Sequence, residues 1–470
     1  MKRPAATISD NEVTTNTQDA YVSESDNSTC GQQPQCFAKC SVWNRNFIAV
    51  PQPRKKPSPT EGERAVVEGL NALSIKERED VYEEIHGIHN ANTIEETPEM
   101  ISRAVDDLQK YISKMNRHQK QAYELTRLMS PRFVQDRAFL LMFLRADLFD
   151  VAKAANRLVN NLELKLELFG VDRMAKHITW EDMDEDDRAA VLNCSSQYYP
   201  ELKDNAGRTV WVAAMGKDEY KTDNNHFRCS YYTVMGMMMG NDNAQTRGIV
   251  GIAHMVGLSE KKFNNTVAFR SMKLIEAMPF RYAALHICYD NPNLRGPIGM
   301  LQLIANVQNR VRFRAHFGTF VECQYQLMTF GLNQDIFPFD STGNIKTEKF
   351  MAMLRDRIQK EAEIEEERRN DSSRIEYPRS VDVLFGRGKA YNDFNGNILM
   401  YAHIDRYKGR YQQATSRDEK TLIAETVLLT IKESGGRFLK RSKDPMDGWV
   451  TVTDTVAREK ISHCFRTRLK

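Results

Sequence analysis

Near Gly170 the sequence changes rhythm. Before it, apolar residues recur every three to four positions, the spacing of helices; after it, short apolar runs typical of strands alternate with helical stretches. The strand-like runs are Thr209–Ala214, 248–256, 281–289 and 310–316. Helical spacing fills 230–240, 259–278, 298–309 and 318–330. Strands that alternate with helices imply an α/β fold with a largely parallel sheet covered by helices.

The flanks divide the chain further, as expected for 470 residues, too many for one core. Residues 1–60 are rich in Ser, Thr, Asn, Gln and Pro without a period and read as a disordered tail. A helical region spans 61–170. Ser74 and Glu77 have capping-box spacing, for a helix running to Ile85 and closed by Gly87. Thr97-Pro98 signals another start, followed by Ile101, Val105, Leu108, Ile112 and Met115 on one face. Between 133 and 169 two helices with a tight connection form a small cap. Asp150 caps the second, whose face is Val151, Ala154, Ala155, Leu158, Leu162, Leu166 and Phe169. The strand–helix region runs to 345. Residues 346–376 are dense in charge and read as a solvated helix or linker; a C-terminal domain follows from 377.

Several classes are set aside by composition. No window reaches the ~18 uninterrupted apolar residues of a membrane span, and Met1-Lys2-Arg3-Pro4 leads into polar sequence with no apolar signal core. The eight cysteines, at 30, 36, 40, 194, 229, 288, 323 and 464, contain no CxxC pair and read as reduced thiols of an intracellular protein. Localisation is therefore expected to be cytoplasmic, with a membrane-peripheral place second; the three-residue run Arg54-Lys55-Lys56 is weak evidence for a nuclear signal and leaves the nucleus open. HExxH, GxSxG and a strand-following GxGxxG are all missing, and His86 and His89 lack further metal-ligand spacing. No enzyme, cofactor or metal is expected.

The segment FLLMFLRADLFDVAKAANRL, from Phe139 to Leu158, resembles the N-terminal helical part of the CRAL-TRIO family, which reads L-x-R-F-L-R-A-R-x-F-D. Matching positions are Phe143-Leu144-Arg145-Ala146, Phe149-Asp150 and Ala154. Further landmarks follow in order: Asp204 to Val210 resembles D-x-x-G-R-P-V, GIVGIAHMVGLS a strand and turn, and MPFRYAALHICYDNP a strand ending in N-x-P. The last strand and closing turn, 310–343, also resemble the family. His254 stands where that family has Asp, Phe337-Pro338 replaces Leu-Pro, and Thr342-Gly343 replaces Gly-Gly. The resemblance implies binding, transfer or sensing of a hydrophobic ligand, foremost a phospholipid, in an apolar cavity over a sheet floor and under a mobile lid helix. It also implies transient contact with a membrane surface.

The lid candidate begins at Gly296. Met300, Leu301, Leu303, Ile304 and Val307 spread round the helix, so it is covered on more than one side, by an acyl chain or by protein. Tyr232, Met235 and Met238 form another apolar cluster that suits either a pocket or an ordinary core. If 310–316 is a strand, Arg310, Arg312, Arg314 and His316 share one face. Arginine grips phosphate with a planar fork, so these residues and Arg281 are headgroup candidates; the rival is surface arginines paired with acids of neighbouring helices.

Residues 381–470 carry a net +6 against −3 for the remainder. Val381-Asp382-Val383-Leu384-Phe385-Gly386-Arg387-Gly388-Lys389, then Asn395-Gly396-Asn397 and Gly435-Gly436-Arg437-Phe438-Leu439, resemble an algal domain of unknown function. The expected order is helix, short strand, turn, short strand, helix. Arg387, Lys389, Arg437, Lys440, Arg441 and Lys443 are candidates for an anion or nucleic-acid partner, by analogy with winged DNA-binding layouts; a protein partner is the alternative.

Overall fold

The computed structural model describes residues 58–88, 94–215, 220–334, 337–340, 342–370, 375–444, 446 and 448–468. The tail, its three cysteines, the Arg54-Lys55-Lys56 run and His89 lie outside these residues, apart from 58–60.

Capping chemistry sets the N-terminal helices. Glu61–Ala72 begins with a capping box from Thr60 and Glu63. Ile75–His86 begins with the expected Ser74–Glu77 box and ends at Gly87 in the left-handed region, φ 66°. Pro98–Lys114 starts at its Thr97 cap, and Arg137–Ala146 and Val151–Phe169 form the cap around the buried Leu140, Phe143, Leu158 and Leu162. Their tight connection places Leu148 and Phe149 at positive φ.

Five strands form one sheet in sequential order: β1 (Ser196–Gln197), β2 (Thr209–Ala214), β3 (Ile249–His254), β4 (Tyr282–Tyr289) and β5 (Phe313–Phe317). β1 runs antiparallel to β2, and every later pair is parallel. All eight residues of β4 are buried, as a central strand covered on both faces must be. The protein is thus an α/β chain with a mainly parallel, helix-covered sheet, a helical cap and a small C-terminal α+β domain.

One strand starts later than its sequence pattern suggests. Asn306 caps a short helix, Val307–Val311, and β5 begins only at Phe313. Local hydrogen bonding overrides the alternation here. The Arg310 guanidinium donates to the carbonyls of Gln302 (3.0 Å), Leu303 (2.7 Å) and Ala305 (2.8 Å), the open end of the preceding helix. Arg310 and Arg312 therefore do not share a strand face with Arg314 and His316.

The charged segment takes the helical one of its two expected forms, but it is not solvated all round. It forms the helix Glu348–Asn370, with Phe350 and Leu354 buried. Arg357 lies 3.6 Å over the Tyr232 ring, donates to Tyr232 O (3.0 Å) and pairs with Glu361 (2.7 Å). Glu361 in turn accepts the Trp180 amide at 2.7 Å. A side chain at Gly236 would sit 1.6 Å from the guanidinium, so glycine is what lets Arg357 reach the helix backbone.

In the C-terminal domain, β6 (Val383–Phe385) pairs parallel with β7 (Phe438–Arg441), which pairs antiparallel with β8 (Trp449–Thr451). The helices Asn395–Gln413, Arg417–Glu433 and Asp454–Arg468 cover this sheet around Val383, Met400, Ile404, Val427, Leu428 and Phe465. Gly435, at φ 82°, ends the second helix. The hairpin is a docking element: Trp449 is fully buried, and its indole N–H donates to Met129 O at 2.8 Å. Arg441 covers that ring at 4.3 Å and donates to Leu128 O.

Candidate ligand site

Alternation along the strands gives the sheet two unlike faces. One carries Trp211, Ala213, Gly251, Ala253, Leu285, Ile287 and Phe313, the floor of a cavity of about 120 Å³. Small residues on β2 and β3 leave the space open. Helices Asp223–Met238, Asn265–Ala277 and Arg295–Ile304 supply the walls through Phe227, Ser230, Met272, Leu274 and Leu301. The polar groups on the lining are the hydroxyls of Ser195, Ser196, Ser230, Ser271, Tyr220 and Tyr282, the His226 imidazole and the Trp211 indole N–H, with no Asp, Glu, Lys or Arg. Trp211 donates its indole N–H to Ser196 Oγ at 2.9 Å. The Tyr282 ring lies so close over β3 that a side chain at Gly251 would come within 2.4 Å of it. Burial raises the Tyr282 phenol above its ordinary range.

The roof helix, Arg295–Ile304, is the sequence's lid candidate. Leu301 faces the cavity; Ile298 and Gly299 are buried, Leu303 and Ile304 partly so, and Met300 is exposed. Val307 is exposed on the next short helix. The outer cover of the roof is protein: Glu61–Ala72 crosses it so tightly that a Cβ at Gly62 would meet the Gly299 carbonyl oxygen at 1.9 Å. Glu63 pairs with Arg295 at 2.7 Å across this crossing.

Tyr232, Met235 and Met238 are buried in the protein core and do not line the cavity. Their helix turns His226, Phe227 and Ser230 to the cavity, while the Tyr232 hydroxyl donates to Glu361 at 3.2 Å. The Met cluster is the ordinary-core alternative of the two that composition left open.

The headgroup candidates are dispersed. Arg281 and Arg312 both pair with Glu84, which is 3% exposed. Burial pushes the Glu84 carboxyl up, but the two guanidiniums outweigh it and hold it below the usual carboxylate range. Both arginines, with Arg157 and Tyr282, line a separate cleft of about 230 Å³ that also contains Glu77, Asp80 and Asp147. Arg314 and His316 point to the sheet face away from the cavity, because their register partners are His286 and Cys288 while Leu285 and Ile287 face the cavity. Arg314 donates to Val311 O (3.0 Å) and Phe313 O (2.8 Å). On the same face His286 Nδ1 lies 3.0 Å from His316 Nε2, and His316 Nδ1 lies 3.2 Å from Gln326 Oε1. Burial lowers the pKa of both imidazoles.

Of the C-terminal basic residues, Arg387, Lys389, Lys440 and Lys443 are exposed. Arg437 is held by the buried Asp382 at 2.7 Å, and Arg441 is committed to the Trp449 junction. Sequence reasoning missed Tyr282, Trp211 and the small floor residues. The signal was present in Gly251 and Ala253, whose lack of bulk inside an apolar strand marks space above it.

Among solved structures, one described as "Crystal structure of Sfh5" is similar, at 9% identity and a TM-score of 0.29, over 55% of this chain and 82% of that one. No curated protein matches the chain. Residues 382–467 match the family described as a domain of unknown function, DUF6824, so the C-terminal domain is similar to that family.

Proposed function

We propose that the region 171–345 binds a hydrophobic ligand between sheet and roof helix, as a carrier or sensor that meets a membrane transiently from the cytoplasmic side. The observation that carries this reading is the cavity itself: a partly enclosed space over the sheet, walled by apolar side chains, hydroxyls and the His226 imidazole, with no Asp, Glu, Lys or Arg on its lining. Each methylene moved there from water gains roughly 0.8 kcal/mol. At about 120 Å³ the space is smaller than the roughly 300–1,000 Å³ of small-molecule sites, so uptake requires the roof to move. The exposed Met300 and Val307 lie on the elements that would move and suit contact with lipid. The test is native mass spectrometry of the full chain with analysis of its solvent extract. A stoichiometric hydrophobic molecule is expected. A folded protein that arrives empty and takes up nothing from vesicles would refute the reading.

A further inference from the structure

The polar end of a ligand is what these walls can discriminate. A phosphate or carboxylate brought into the cavity loses its water and meets no guanidinium or ammonium, because no Lys or Arg is among the described lining residues, and the His226 ring there is packed edge-on against Tyr220 and Phe227. The cations nearby are already engaged: Arg310 by backbone carbonyls, Arg281 and Arg312 by Glu84, and Arg157 by Asp147 at 2.7 Å. The adjoining cleft sets Glu77, Asp80 and Asp147 against its three arginines and offers an anion no net attraction. Tyr282 differs. It is 3% exposed, it is the one hydroxyl residue among the described residues that lines both cavity and cleft, and its hydroxyl, like those of Ser195 and Ser230 on the cavity wall, has no hydrogen-bond partner among the described residues.

Resting on the ligand site proposed above, we infer that the cavity selects an uncharged hydrophobic ligand bearing one hydroxyl or carbonyl oxygen, and that Tyr282 is the specificity-determining residue, its hydroxyl donating to that oxygen. A buried phenol that gains its missing partner only when the ligand arrives favours the oxygenated molecule over the bare hydrocarbon. An ionised headgroup is refused, since no guanidinium or ammonium on the lining compensates its desolvation.

The test uses the delipidated full chain and four probes: hexadecanol, hexadecane, hexadecanoate at pH 8, and phosphatidylcholine vesicles with and without phosphatidylinositol. Hexadecanol is expected to bind at least about tenfold more tightly than hexadecanoate, with no phospholipid extracted. Tyr282→Phe should weaken hexadecanol about tenfold and leave hexadecane unchanged, with the melting temperature preserved because no protein hydrogen bond is lost. Equal binding of hexadecanoate, preferential extraction of either phospholipid, or an unchanged hexadecanol affinity in Tyr282→Phe overturns the inference while leaving a ligand site in place. Failure of the folded protein to bind any probe removes the site as well.

Discussion

The two faces of the five-stranded sheet carry opposite chemistry. The cavity face presents Ala213, Gly251, Ala253, Leu285 and Ile287. The other face buries His286, Cys288 and His316, with Phe330 packed on both imidazoles and stacked on His86 of the Ile75–His86 helix. Polar groups can be buried where their neighbours are permanent, because each hydrogen bond is completed once, on folding. Where the occupant is exchangeable, a fixed polar network would be left unsatisfied at every exchange, and an apolar wall with sparse hydroxyls is the stable alternative. Chemistry follows the permanence of the neighbour, and this contrast is open to direct attack.

The largest effect is expected at Glu84. Glu84→Ala leaves two nearly buried guanidiniums without a counter-ion and should lower unfolding free energy by about 3–5 kcal/mol, measured by denaturant titration. Adding Arg281→Met and Arg312→Met should recover most of that loss. A loss under about 1 kcal/mol would show that the polar side is not held together by its ion pairs.

Next is acid. The folded imidazoles of His286 and His316 have lowered pKa values through burial, and His177, packed on Phe133 and Phe139, is lowered from 6.5 to about 4. Below pH 6.5 the unfolded chain binds protons that the folded chain refuses, so stability falls as pH falls. For His177 alone this amounts to about 3 kcal/mol between pH 6.5 and 4. Melting curves across this window should flatten in His286→Phe, and an unaltered slope would detach the pair from acid sensitivity.

Overpacking separates the faces most sharply. Ala284 is fully buried on the polar side, and Ala284→Leu should destabilise by about 1–3 kcal/mol. Ala253 borders the cavity, so Ala253→Leu should stay within about 1 kcal/mol of the parent while abolishing ligand uptake. Equal melting shifts for the two variants would mean that the cavity is ordinary core.

The smallest effect is at the strap over the roof. Glu63 and Arg295 are both partly exposed, so Glu63→Gln should change stability by only about 0.2–1 kcal/mol. Ligand uptake, followed by stopped-flow fluorescence, should nevertheless quicken; an unchanged rate would mean that the strap does not gate the roof.

Much of this is legible in the sequence. The helix starts at Ser74 and Thr97 declare themselves through short-range capping, and β2, β3 and β4 through apolar runs of strand length. The start of β5 was misread because Arg310, Val311 and Arg312 alternate like a strand while Asn306 and the waiting carbonyls make a helical turn there. The 346–374 segment looked solvated because its charge is dense, yet the anchors are few: Phe350, Leu354 and Arg357 suffice to dock it.

Sequence alone thus determined the α/β order, the helical cap and the hairpin between helices at the C-terminus, because capping, periodicity and turn residues act over three to ten positions. The tertiary structure decided which arginine meets which acid and which sheet face holds space. It also decided that Trp449 closes the junction with Met129 and that Tyr282 looks into the cavity. Those outcomes depend on pairs such as Glu84 with Arg281 and Arg312, about two hundred positions apart along the chain, where desolvation and packing rather than local propensity choose the partner.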